Sequence, residues 1–234
     1  MKKIVFLTGA GISAESGITT FRDSNGLWEQ YCVEDVASIE GYWRNPELVI
    51  NFYNERRQQL GTVRPNKAHE LVAKLETNYN VTVVTQNIDN LHEQAGSTYI
   101  VHLHGELMKA TSSDEPNDPD CIVTLPSTDS KINIGDKAND GSQLRPFIVW
   151  FGEPVPMIER AAEEVSKADI VVIVGTSLNV YPAAGLVHYA KRGADIYLID
   201  PAPQNVPQNM DIQVIAKRAT DGMEDLYRML AENK

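Results

Sequence analysis

Four short apolar runs rich in β-branched residues constrain this chain most: Ile4–Thr8, Val81–Thr85, Ile170–Gly175 and Ile196–Asp200. Each reads as a buried strand. Helix-like stretches separate them, at Asn45–Leu60, Lys67–Thr77, Pro156–Lys167, Ala183–Arg192 and Asp221–Glu232. Strands alternating with helices predict an α/β fold, a doubly wound parallel sheet of the Rossmann-like kind. Ile212–Ile215 adds an edge strand.

Two regions break that rhythm. Asp23–Asn66 carries aromatic-rich loops and a helix, and Gly105–Arg145 carries the runs DEPNDPD and DKANDGSQ. A structureless loop of such length is uncommon inside a compact domain. We read both as insertions forming a smaller module, 23–66 with 105–145, beside a main part of 1–22, 67–104 and 146–234. The 234 residues then make one domain with an insertion.

Composition narrows the function classes. A formal charge of −11 argues against direct nucleic-acid binding. No apolar run approaches the ~20 residues of a membrane helix. The run IVFL is too short for the core of a secretion signal. These readings predict a cytoplasmic protein, expected to be a monomer. The two cysteines, Cys32 and Cys121, form no CxxC pair and read as plain thiols.

The first strand stops at Gly9-Ala10-Gly11, and small and polar residues follow to Ser16. Glycines there allow a tight turn and the approach of a phosphate to a helix N-terminus; an ordinary strand-to-helix turn has the same composition. Ala14 falls where the usual fingerprint has its third glycine. A second cluster, Thr85-Gln86-Asn87-Ile88-Asp89, follows the second strand. Polar side chains there sit where open α/β sheets bind ligands, although Asp89 also suits a helix cap. His102-Leu103-His104-Gly105 offers a proton-exchanging group, and spacing alone does not say which histidine acts. Val149-Trp150-Phe151-Gly152-Glu153 and Gly175-Thr176-Ser177-Leu178 complete the set.

In this order, GAGIS-A-ESGI-TTFR, TQNID, HG, VWFGE and GTSL-x-V-x-PAA resemble the sirtuins, the NAD-dependent protein lysine deacylases. The resemblance runs from Gly9 to about Ala184. It implies that Gly9, Ala10, Gly11 and Ser13 lie against the NAD pyrophosphate, with Phe21 and Arg22 on a loop near the reacting ribose. Gln86 and Asn87 would hold that ribose, Ile88 and Asp89 the carboxamide, and Gly175, Thr176 and Ser177 the adenosine side. Asp200 stands where many sirtuins have Asn; it suits a ribose hydroxyl or a plain DPAP turn equally.

In the implied chemistry the acyl oxygen attacks the ribose carbon as nicotinamide leaves. His104, with Asn87, is then catalytic, and His104 deprotonates a ribose hydroxyl. The products are free lysine, nicotinamide and O-acyl-ADP-ribose. Acyl-lysine peptides enter as an added strand between VWFGE (Val149, Phe151, Gly152, Glu153) and LNVYP (Val180). Tyr53 and Arg56 share a helical face. By spacing alone they read as surface, but Y-x-x-R resembles the sirtuin class that removes succinyl and malonyl groups, as does the small Ala14. Most sirtuins hold a structural zinc on four cysteines between HG and VWFGE. Only Cys121 stands there, so no metal is expected. Competing readings are an ADP-ribosyltransferase or NAD glycohydrolase, and a noncatalytic NAD sensor.

Overall fold

In the computed structural model, residues 1–18, 31–176, 178–203 and 206–232 are described. The chain opens with β1 (Lys3–Thr8) and the single-turn helix α1 (Ala10–Ala14). Helices α2 (Val33–Val36), α3 (Ile39–Arg44), α4 (Pro46–Leu60) and α5 (Lys67–Leu75) follow. Then come β2 (Asn80–Thr85), α6 (Leu91–Ala95), β3 (Ile100–His102), β4 (Gly105–Ser112), β5 (Val123–Thr124) and β6 (Leu144–Ile148). The chain returns through α7 (Ile158–Ser166), β7 (Ile170–Val174), β8 (Asp195–Ile199), β9 (Ile212–Ile215) and α8 (Ala219–Glu232).

Six strands form one sheet in the order β3-β2-β1-β7-β8-β9, every pair parallel. Alternate residues of β1 explain why helices must cover both faces. Ile4 and Phe6 pack under α5 and α8, against Leu71, Val72, Met223 and Leu226. Val5 and Leu7 pack on the other face with Ala161 and Val165 of α7. The sheet order reverses direction between β1 and β7, which opens a crevice at their carboxyl ends.

Local signals set the helix starts. Asn45 caps α4 by accepting from Leu48 N at 3.1 Å, with Pro46 in the first turn. Asn66 caps α5, and His69 completes the capping box. The stretch expected to be a helix over Ala183–Arg192 is instead a 3₁₀ helix, Ala183–Tyr189. Its buried residues, Ala183 with Leu186 and Ala184 with Val187, recur every third position, which a three-residue turn keeps on one face.

A second sheet, antiparallel in the order β5-β4-β6, packs with α3 and α4 around Tyr42, Ile50, Phe52, Tyr53, Leu107, Ile148 and Trp150. This packing runs on to Trp150, so the boundary expected at residue 146 falls inside β6. Buried polar groups tie its loops to α4. Asn54 exchanges two bonds with the Ile132 main chain, at 2.8 and 3.0 Å. Arg57, fully buried, donates to the carbonyls of Leu107 and Ser130 at 2.7 and 2.9 Å and to Asn54 Oδ1 at 2.9 Å. Ser112 Oγ gathers Asp140, Ser142 and the N–H groups of Asp114 and Glu115.

Candidate active site

The crevice is built on three glycines. Gly9 N donates to the Val174 carbonyl at 3.1 Å and Gly11 N to the Gly175 carbonyl at 2.8 Å. A Cβ on Gly11 would stand 2.6 Å from Gly175 Cα, and one on Gly9 2.8 Å from Gly175 O. Gly175 itself has φ +62° and would drive a Cβ to 2.4 Å from Ile12 N. The glycines therefore let the loops after β1 and β7 touch backbone to backbone.

The end of β2 closes the third side. Gln86 N donates to the Thr8 carbonyl at 2.9 Å and Gln86 Nε2 to Thr176 Oγ1 at 3.2 Å. Asn87 is buried; its Nδ2 donates to Gly9 O at 3.2 Å and to Ser13 Oγ at 3.1 Å. Ser13 Oγ donates to Asp89 Oδ2 at 3.0 Å, and Asp89 Oδ1 accepts from Leu91 N at 3.1 Å. Asp89 thus serves as an Asx cap and a network member together. Burial raises its pKa, opposed by the bonds from Leu91 and Ser13. Ser13, expected on the phosphate side, is fully buried and turns its hydroxyl to Asn87 and Asp89.

Two histidines that motif reasoning passed over lie beneath. His69 Nε2 is 3.5 Å from Ser13 Oγ, and His92 Nε2 is 3.2 Å from Thr8 Oγ1. Their rings meet edge to face at 4.9 Å. Burial lowers the pKa of His69 to about 4 and that of His92 well below the usual range, so both are neutral. Asn66, three residues before His69, caps α5 and places His69 on the helix's first turn. The partnership with Ser13, 56 residues away, was not legible.

The HG pair resolves by hydrogen bonding. His104 Nδ1 lies 3.0 Å from the Gln86 carbonyl, so Nδ1 carries the proton and Nε2 keeps its lone pair. Burial lowers its pKa and keeps the ring neutral; the Gln86 bond partly opposes this. In His102 burial pulls the same way, but the Glu93 carboxylate at 2.7 Å outweighs it and raises the pKa. His104 is the ring fit to accept a proton. Gly105 is obligatory behind it, with φ +82° and the Phe147 carbonyl 2.0 Å from where a Cβ would be.

Arg56 on α4 lines a small cavity with Ile18, Gln59, Leu60, Ile88, Asp89 and Leu107. Tyr53 is within electrostatic reach of Arg56, but its ring packs on Phe52 and lies 6.0 Å from Trp150. Burial pushes the Tyr53 phenol up and the Arg56 guanidinium down. Among the described residues lining this cavity, neither Tyr53 nor Ala14 appears; Ala14 is exposed at the end of α1.

In VWFGE, Val149 N donates to the His104 carbonyl at 3.0 Å. The Phe151 main chain is already paired, donating to Ala37 O and accepting from Ile39 N, while its ring is half-exposed. Gly152 turns outward at φ +91°. Glu153, expected at the substrate, instead spends its carboxylate on Arg145 and Trp150 N. Val180 is half-buried before the 3₁₀ helix. Asp200 is buried, and its Oδ1 caps Ala202 N at 2.9 Å, as the turn reading expects. Phe21, Arg22 and Ser177 lie outside the described residues.

Among the described residues, one group has metal-ligand spacing: Glu93, His102 and Glu106, whose ligand atoms lie within 4.8 Å of one another. Glu93 and His102 form an ion pair, and Glu106 accepts from Lys109 at 2.7 Å. Cys121 is buried beside Asp118, and Cys32 is exposed and remote in sequence.

The donor set at the switch point, amide, carboxylate, hydroxyl and a neutral imidazole around a glycine-lined crevice, fits a dinucleotide. Comparison with known proteins agrees. The family model described as Sir2 family matches residues 9–182. An NAD-dependent protein deacylase of Bacteroides thetaiotaomicron is 62% identical over 230 residues, covering 98% of each chain. A crystal structure of a Sir2 homolog–NAD complex superimposes with a TM-score of 0.87 at 38% identity, covering 99% of this chain and 90% of the other. A Sir2 variant holding a deacetylated p53 peptide and 3′-O-acetyl ADP-ribose matches with a TM-score of 0.77 at 30% identity, covering 98% and 92%.

Proposed function

Given that the chain belongs to the Sir2 family and is an NAD-dependent protein-lysine deacylase, we propose that it removes succinyl and malonyl groups, as well as acetyl, from protein lysines. The released products are nicotinamide and an O-acyl-ADP-ribose. The observation that carries the acidic-acyl reading is Arg56, which lines the same cavity as Ile88 and Asp89. Arginine binds a carboxylate through two parallel N–H bonds, and burial strengthens that pairing. Tyr53, close enough to feel the Arg56 charge, packs behind the cavity and acts on the acyl group only through Arg56.

NAD supplies an electrophilic ribose carbon with a ready leaving group. The chain supplies the rest. Asn87 and Gln86, braced by Gly9, Ser13 and Thr176, orient the ribose. Asp89, held by Ser13 and Leu91 N, addresses the carboxamide. His104 Nε2 accepts a proton from the ribose hydroxyl while Nδ1 holds the ring to Gln86 O. Excluding water matters, because water at the ribose carbon hydrolyses NAD without deacylation.

The test is turnover of matched acetyl- and succinyl-lysine peptides with NAD, followed by mass spectrometry. NAD-dependent loss of both acyl groups, with O-acyl-ADP-ribose formed, is the expected result. Nicotinamide release without deacylation, or ADP-ribose added to protein, would move the reading to an ADP-ribosyltransferase or glycohydrolase.

A further inference from the structure

Arg145 sits on β6 with its side chain only 2% exposed. Its two terminal nitrogens donate to the two Glu153 carboxylate oxygens at 2.8 and 3.1 Å, and one also donates to the Ile148 carbonyl at 2.9 Å. Glu153 Oε2 in turn accepts from Trp150 N at 2.8 Å. The guanidinium lies 4.0 Å over the Trp150 ring, which stacks on Tyr42 at 4.8 Å. Residues 150–153 are thereby closed into a loop clamped from inside. What the clamp leaves outside is the half-exposed Phe151 ring and the outward turn at Gly152.

An exposed ion pair would contribute little here, but this one is buried and two-pronged, and removing one partner strands the other. It also sits between two functional regions. One end of the segment is tied to His104 through Val149 N, and the Trp150 ring lies 6.0 Å from Tyr53. The glycine crevice, by contrast, is built from the loops after β1, β2 and β7, and among the described residues none of the hydrogen bonds that hold it comes from this clamp.

We propose that Arg145 is a positioning residue for the acyl-peptide: through Glu153 it holds the Phe151–Gly152 turn at the height where a substrate main chain meets His104. This rests on the deacylase reading and on peptide entry beside Val149–Glu153. Lysine keeps the charge at 145 but not the fork, and Gln at 153 keeps the shape but not the charge.

The experiment measures acyl-peptide Kd by anisotropy, NAD Kd by calorimetry, and kcat with KM for Arg145→Lys, Glu153→Gln and the double variant. The expected result is a peptide Kd and KM raised about tenfold in each single variant. The double variant is no worse than either single, NAD affinity is unchanged, and kcat falls much less than kcat/KM. Equal weakening of NAD and peptide, or additive losses, would reduce Arg145 to a general stability role. Unchanged peptide binding in variants that stay folded would also overturn the proposal. If the wild-type protein neither binds nor turns over acyl-peptides, the functional reading itself falls. Turnover by the wild type with no peptide effect in the variants sinks the positioning role alone.

Discussion

Gly11 and Gly175 meet backbone to backbone, the Gly11 N–H on the Gly175 carbonyl at 2.8 Å, with no room for a methyl group between them. Gly11→Ala is expected to force the two loops apart. Overpacking of this kind costs about 1–3 kcal/mol, and NAD affinity should fall with the melting temperature. Calorimetry on the folded variant checks it; wild-type NAD binding there would mean the contact does not shape the crevice.

The neutral, partly buried His104 predicts the acid limb of kcat/KM. A base with a lowered pKa stays active until pH falls below the ordinary histidine range, so the profile should be flat through neutrality. His104→Ala should cost on the order of 10²–10⁴ in rate while leaving NAD bound. An acid limb above the ordinary histidine value would point to another group.

Burial of His69 and His92 makes the fold acid-sensitive. His69 titrates near 4 when folded, against an unfolded value of 6.5, so its unfolded form takes up protons first. The contribution is full above the unfolded value and is lost as pH falls toward the folded one. Denaturation midpoints between pH 7 and 5 should therefore decline, and His69→Gln should flatten that slope.

Arg56→Met should cut desuccinylation and demalonylation about 10- to 100-fold, the scale of one lost charged contact. Deacetylation should be largely retained. Parallel loss of all three activities would remove Arg56 from the acyl site.

Asn54 and Arg57 tie the loops of the smaller module to α4, through the main chains of Ile132, Leu107 and Ser130. Asn54→Ala frees both main-chain groups of Ile132 inside the module and should destabilise by about 2–4 kcal/mol in denaturant unfolding. A chelator should leave the melting temperature unchanged. One tightly bound zinc per chain on metal analysis would refute this.

The β-branched runs and their spacing were enough to predict the main sheet, because a strand buried on both faces needs continuous apolar sequence whatever surrounds it. The motifs GAGIS, TQNID and HG likewise stand at or just beyond the ends of β1, β2 and β3, as their positions after apolar runs in the sequence predict. Which group does what was decided in three dimensions. His102 and His104 look alike in sequence, yet Glu93 pairs with one and raises its pKa while the Gln86 carbonyl orients the other. Ser13 reads as a phosphate contact beside its glycines and becomes a hub only because His69, Asn87 and Asp89 converge on it. Glu153 reads as a substrate group until Arg145, eight residues away, turns it inward. Strand burial follows from a local pattern of side chains, whereas a proton's position or a carboxylate's direction depends on partners that only folding brings within hydrogen-bond reach.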